Sequence, residues 1–190
     1  MEHRRVQYFT PTTFSVGSGV HSGPEALAIQ GSGSGLQLAV ANYNDNTVSV
    51  YNSNGNGTLA APTINAVGRG PDDVTFANFN GVEELVVSNY TDGTVDLLIP
   101  AGSTFKLVGP FHVGSNPYSA AVGDLDLDGT PDIVVSNCTS NNVGTLLSGT
   151  QISVPYTGLS LTAGHSIQAV YTPDGSSKYG SSATPATTAP

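Results

Sequence analysis

Asp124-Leu125-Asp126-Leu127-Asp128-Gly129-Thr130-Pro131-Asp132 runs straight into Ile133-Val134-Val135-Ser136-Asn137. The first part is a carboxylate-rich loop broken by Gly129, and the second is a β-branched run that reads as a strand. Like charges about 4 Å apart repel by roughly 1 kcal/mol in water and about 4 kcal/mol at an effective dielectric near 20. A hard cation turns that repulsion into coordination, and Ca²⁺ takes six to eight oxygens. Asp124, Asp126 and Asp128, the carbonyl of Thr130 and a bidentate Asp132 are the expected ligands, with Gly129 allowing the sharp turn. Without an ion the same stretch reads as a solvated acidic turn. An EF-hand needs a Glu at loop position 12 and a helix on each side. That position is Val135, inside the β-branched run, so the EF-hand reading is excluded.

The strand half of this stretch has two echoes. Leu38-Ala39-Val40-Ala41-Asn42-Tyr43, Leu85-Val86-Val87-Ser88-Asn89-Tyr90 and Ile133-Val134-Val135-Ser136-Asn137-Cys138 align, their Asn residues 47 and 48 apart. Val16-Gly17, Val67-Gly68 and Val113-Gly114 open the three units; Pro24, Pro71 and Pro117 follow, spaced by 47 and 46. Val48, Val95 and Val143 each lie six residues after the repeated Asn. A period of this size belongs to propeller blades and solenoids. In the first unit, strands are expected near 26–29, 36–41, 47–51 and 63–67, separated by Gly/Ser/Asn clusters of turn type. The continuously apolar run at Leu38-Ala39-Val40 predicts an inner strand covered on both faces. Four antiparallel strands per unit make a propeller-type blade.

Composition supports this reading. Hydrophobic residues make up 38% and charged residues 10%, with 23 Gly and 12 Pro. Polarity is thus carried by Ser, Thr, Asn and Gly, which suits short strands and turns and argues against a helical bundle. A net charge of −9 with five basic residues leaves no basic face for nucleic acid. No apolar run is long enough for a membrane-spanning helix. A single cysteine excludes an internal disulfide, and Met-Glu-His-Arg-Arg lacks the apolar core of a signal peptide.

The repeat resembles the FG-GAP/VCBS repeats of integrin alpha-chain propellers and of many large secreted bacterial proteins. The residues that carry the resemblance are Val113-Gly114-Ser115-Asn116-Pro117, Val122-Gly123-Asp124 through Val135, and Ser136-Asn137, over about residues 14–150. Asn54-Gly55-Asn56-Gly57-Thr58-Leu59 is similar to the family's Gly-rich turn, with Leu59 where Phe is usual. The resemblance implies an all-β fold: three propeller-type four-stranded antiparallel blades, about 14–63, 64–110 and 111–150, after an N-terminal strand or leader at 1–13. It also implies structural calcium and an extracellular or cell-surface location. The chain departs from the pattern in two ways. The first unit has Gly31-Ser32-Gly33-Ser34-Gly35 in place of the acidic loop, and the second has Asn78-Phe79-Asn80-Gly81 followed by Glu83-Glu84. Calcium ligands are therefore carried onto the third unit alone, with Asn78, Asn80 and Glu84 as a weakened second site. Three units also fall short of the four to eight blades of closed propellers, and the third unit lacks a recognisable fourth strand. An open, curved array is expected.

From about residue 151 the pattern changes. Gly164-His165-Ser166-Ile167-Gln168-Ala169-Val170-Tyr171 alternates like a half-buried strand, and 151–180 resembles part of a bacterial Ig-like domain; 181–190 reads as a disordered linker. The four His are scattered without metal-ligand spacing. Cys138, in the slot of Tyr43 and Tyr90, reads as a small buried packing residue. Asp72-Asp73, after Pro71, reads as part of a turn, and Glu83-Glu84 as strand neighbours facing opposite ways, so neither pair suits acid–base catalysis. Asn56, Asn89 and Asn137 open N-x-Thr sequons, but the repeat explains Asn89 and Asn137 better. The expected function is non-catalytic adhesion or binding of a protein or glycan, through loops such as 68–73 and 115–118. The alternatives are a calcium-dependent secreted propeller enzyme, a polysaccharide lyase or hydrolase, and a structural spacer whose open sheet edges self-associate.

Overall fold

A computed structural model describes residues 13–17 and 22–149. The expected strand at 6–9, the Ig-like segment 151–180 and the linker 181–190 lie outside the described residues. Within them the chain is all-β apart from one 3-10 turn at Gly33–Gly35. Three antiparallel meanders follow in sequence, none closed into a barrel. Strands β1 (Pro24–Gln30), β2 (Gln37–Asn42), β3 (Thr47–Asn52) and β4 (Thr63–Ala66) form the first sheet, in that order. The second holds β5 (Pro71–Phe79), β6 (Val82–Asn89), β7 (Thr94–Ala101) and β8 (Thr104–His112). The third holds β9 (Pro117–Gly123), β10 (Asp132–Asn137) and β11 (Asn142–Leu146). These are open propeller-like blades, and the third has three strands among the described residues. Sheet limits fall a few residues past the expected unit limits, because Val67-Gly68 and Val113-Gly114 follow the preceding sheet's last strand.

The sheets stack face to face. Leu85, Val87 and Val74 of the second sheet bury against Ala39, Ala41, Val48 and Val50 of the first. Val86, Val95 and Ala77 bury against Ile133 and Val135 of the third. Strand β6 thus serves two cores by alternation, which is why its central Leu85-Val86-Val87 run is apolar without a break.

The repeated Asn explains the polar part of the pattern. The Asn42 side-chain amide donates to Thr47 Oγ1 (3.1 Å) and Ser49 Oγ (2.9 Å). That of Asn89 donates to Thr94 Oγ1 (3.2 Å) and Asp96 Oδ2 (2.9 Å). That of Asn137 donates to Asn142 Oδ1 (3.0 Å) and the Val113 carbonyl (2.9 Å). All three are buried, so they are unsuited to glycosylation and clip the second strand of each sheet to its neighbourhood. The lead-in to each unit is fixed as regularly. Tyr43, Tyr90 and Cys138 donate their backbone N–H to the carbonyls of Gly23, Gly70 and Asn116, at 2.8, 2.8 and 2.9 Å. Those acceptors have φ of 61°, 63° and 56°, a left-handed conformation that Gly and Asn tolerate best.

Two expectations are corrected. Cys138 is exposed, not buried. Its counterparts Tyr43 and Tyr90 meet each other across the first two sheets, ring centroids 6.5 Å apart, whereas among the described residues no sheet stacks beyond the third to cover Cys138. Asp73 lies not in a turn but at a bulge in β5. There its Oδ2 accepts the Ala120 N–H (2.8 Å) and the Ser119 hydroxyl (3.1 Å). It therefore joins the second sheet to the third, and loop 68–73 is part interface rather than free contact surface.

Candidate metal centre

The loop between β9 and β10 curls because two of its residues adopt left-handed backbone, Leu127 at φ 62° and Gly129 at φ 90°. For Leu, with its Cβ, that conformation is uncommon. The curl is held by backbone donors to the loop's own carboxylates. The Asp128 N–H is shared between Asp124 Oδ1 and Asp126 Oδ1, both at 3.1 Å, and the Gly129 N–H reaches Asp124 Oδ2 at 3.0 Å. Asp128 Oδ1 accepts the Thr130 N–H (2.7 Å) and the Thr130 hydroxyl. As a result Asp124, Asp126 and Asp128 each bring one carboxylate oxygen within 4.8 Å of the others. Asp124 and Asp126 are exposed and Asp128 half-buried. This all-oxygen, all-carboxylate donor set has the chemistry of a hard cation.

Asp132 has a different position from those three. It is fully buried at the start of β10. Its Oδ2 accepts the Leu125 N–H (2.7 Å) and its Oδ1 the Ser148 N–H (2.8 Å). The Leu125 N–H, with further help from Ser148 and Asp126, holds the Asp132 carboxyl below its usual range against the opposing effect of burial. Asp132 braces the loop against the chain beyond β11, and the Ser148 hydroxyl at 2.8 Å from Thr130 Oγ1 completes that brace.

The second-unit residues do not converge in this way. The Asn78 amide donates to Glu83 Oε1 (2.6 Å) and its carbonyl accepts the Gly81 N–H (2.8 Å), closing the β5–β6 turn. Asn80 occupies that turn at φ 53°. Glu84 lies on the opposite sheet face from Asn78 and lines, together with Asn80, a groove of about 550 Å³ between the second and third sheets, with Leu97, Ile99, Phe111 and Ile133. Burial there raises the Glu84 pKa.

Sequence reasoning missed Asp96 and Asp92. Asp96 Oδ2 accepts the Gly68 N–H (2.8 Å) besides the Asn89 amide. Asp92 takes the Arg69 backbone N–H (2.7 Å) and Nε (2.6 Å). Those contacts, the backbone one foremost, lower its pKa. The available signal was positional: Ser49 and Ser140 stand at the matching places of other units and accept the Gly17 N–H (3.2 Å) and the Ser115 N–H (2.7 Å).

The family model of the FG-GAP-like repeat matches residues 77–135. This stretch is an FG-GAP-like repeat. It starts in β5, takes in β6 to β9 and the whole acidic loop, and ends at Val135 in β10. The FG-GAP-like repeat therefore spans the interface between the second and third sheets rather than one sheet alone. Repeats of this kind are typical of extracellular domains. Comparison with curated proteins returns no match. Among the described residues no helix is long and apolar enough to cross a membrane.

Proposed function

We propose that this chain is a non-catalytic extracellular or cell-surface module that binds a protein or glycan ligand and is stabilised by calcium. The observation that carries this reading is the convergence of Asp124, Asp126 and Asp128 on one point within an FG-GAP-like repeat. A calcium ion held by these three carboxylates, with the Thr130 carbonyl as a further ligand, would tie β9 to β10. Asp132 would keep the loop in place through Leu125 and Ser148. The ligand surface lies along the edge where lead-in segments and β-turns meet. A polar groove of about 420 Å³ there is lined by Tyr90, Asp92, His112, Ser115 and Asn116. Such loops on a rigid sheet scaffold commonly carry binding.

The test is thermal unfolding by circular dichroism, with EDTA and with saturating calcium, for the native chain and for Asp124→Asn and Asp128→Asn. Calcium at a hundredfold excess over Kd stabilises by about 2.7 kcal/mol. For a chain of this size that corresponds to an upward Tm shift of roughly 5–11 °C. The shift should vanish in both variants. An identical Tm with and without calcium in the native chain would remove the metal from the proposal.

A further inference from the structure

One motif in the sequence is absorbed neither by the repeat nor by the acidic loop. Of the three N-x-Thr sequons, Asn89-Tyr90-Thr91 and Asn137-Cys138-Thr139 begin with a buried Asn whose amide nitrogen already donates twice. Asn56-Gly57-Thr58 is placed differently. It lies in the connection between β3 and β4, where residues 54–58 are all exposed.

The connection is a small closed loop. Ser53 and Leu59 pair as an isolated bridge at its neck. The Ala60 N–H donates to the Asn52 carbonyl (2.8 Å) and the Asn54 N–H to the Thr58 carbonyl (3.0 Å). Within the loop, Asn56 Oδ1 accepts both the Thr58 N–H (3.1 Å) and the Thr58 hydroxyl (2.7 Å). Both bonds fall on the oxygen, so Asn56 Nδ2 makes no hydrogen bond among the described residues. A Cβ built on Gly57, at the centre of the sequon, would meet nothing within 4 Å. The amide nitrogen is thus unengaged, in a loop with open space at its middle. Asn52 pairs with Gln37, whereas Asn42 and Thr47 pair at the other end of the same strands. The loop therefore sits at the end of the first sheet opposite to the lead-in segments, away from the polar groove beside Tyr90 and Asn116.

We propose that Asn56 is an acceptor for an N-linked oligosaccharide. The inference rests on the extracellular reading for the chain's passage through a secretory compartment. The donor class is an oligosaccharide activated as a polyprenyl diphosphate, and the enzyme is an oligosaccharyltransferase of that compartment. Asn56 Nδ2 bonds to the sugar C1 as the bond from C1 to the diphosphate oxygen breaks. The electron pair of that bond leaves with the lipid diphosphate, and Nδ2 gives up one of its two protons to a base of the transferase. An Asn-x-Thr in which x is not Pro is the pattern such a transfer requires, and the bulky, solubilising product belongs on a surface loop of a secreted protein. Gly57 meets the sequence condition and the exposed loop the structural one.

The test uses the full chain, supplied with a cleavable signal peptide and expressed in cultured animal cells. Mass spectrometry with and without a peptide N-glycosidase, which converts a glycosylated Asn into Asp, reads occupancy, and peptide mapping reads its position. The secreted chain should carry a single glycan, with the conversion at residue 56 alone. Asn56→Gln and Thr58→Ala should each remove the glycan, and Thr58→Ser should retain it. All three changes lie in an exposed loop, so circular dichroism should show unchanged folding. Occupancy is read on the chain retained in the cells as well, so weak secretion leaves the readout intact. An unmodified Asn56 in both fractions overturns the inference. Because the signal peptide is supplied, it does so whether or not the extracellular reading holds. A secreted chain glycosylated at Asn89 or Asn137 with Asn56 bare overturns it as well, since exposure then does not select the acceptor.

Discussion

The Asn89 clip can be broken from either side, and the two ways should give the same loss. Asn89 is fully buried, and its amide makes one bond to a neutral hydroxyl, Thr94 Oγ1, and one to a carboxylate, Asp96 Oδ2. A net hydrogen bond contributes about 0.5–1.5 kcal/mol, and one to a charged group about 1.5–3. Asn89→Ala should therefore cost about 2–4 kcal/mol, with the Gly68 N–H still donating to the buried Asp96 carboxylate. Gly68 offers the second route. A Cβ built there would lie 2.6 Å from Asn89 Nδ2 and 2.7 Å from Asn89 Cγ. Ordinary contact needs close to 3.5 Å, so the amide must move by most of an ångström and both bonds are lost. Gly68→Ala should thus cost about 2–4 kcal/mol by itself. In the double variant the clash is largely relieved, because the two nearest atoms to that Cβ, Asn89 Nδ2 and Cγ, are removed and Asn89 Cβ at 3.0 Å is left. The double variant should be about as stable as Asn89→Ala alone, a coupling of about 2–4 kcal/mol, at the upper end of what contacting residues typically show. Equilibrium urea unfolding of the native chain, both single variants and the double variant measures it. Additivity within about 0.5 kcal/mol would refute the steric and hydrogen-bond account of the clip.

Two further outcomes follow from the interface between the second and third sheets. Burial raises the folded-state pKa of Glu84, so the unfolded chain ionises first as pH rises, and stability is lost between the unfolded and folded pKa. Glu84→Gln should accordingly raise Tm at neutral pH, with the gain disappearing once the pH falls below the carboxylate range; a gain independent of pH in a Tm series would contradict the burial argument. Asp73→Ala removes the acceptor of the Ala120 N–H and the Ser119 hydroxyl. It should cost about 1–3 kcal/mol in urea unfolding, with faster amide exchange in β9, and unchanged exchange at Ala120 would show that the bridge does not hold the third sheet.

What could be read from the sequence was whatever each unit does within itself. Asn42, Asn89 and Asn137 recur because each makes its bonds mostly inside its own sheet, so the same side chain gives the same strands at a fixed period. The convergence of Asp124, Asp126 and Asp128 is local too, since their partners lie within five residues. What the sequence concealed depends on neighbours distant along the chain. Val143 and Cys138 occupy the repeat positions of buried or stacked residues, yet are exposed because no further sheet among the described residues covers them. Asp73 looked like a turn residue because its partners, Ser119 and Ala120, lie in the next unit. Asp132 looked like one more ligand because the Ser148 N–H that engages it lies on the far side of β10 and β11.

The division of labour between polar and apolar contacts sets the order in which the molecule can come apart. Hydrogen-bonded clips close each sheet on itself, whereas apolar faces join one sheet to the next. The chain therefore behaves as a short linear array, with a local energy for each sheet and a coupling energy at each junction. Among the described residues the second sheet has two junctions and each outer sheet one, so opening of these three sheets should start at the outer two, with the second the last to exchange its amides. The acidic loop lies on one of those outer sheets, so an ion bound there would act as a latch where these three sheets have the fewest junctions.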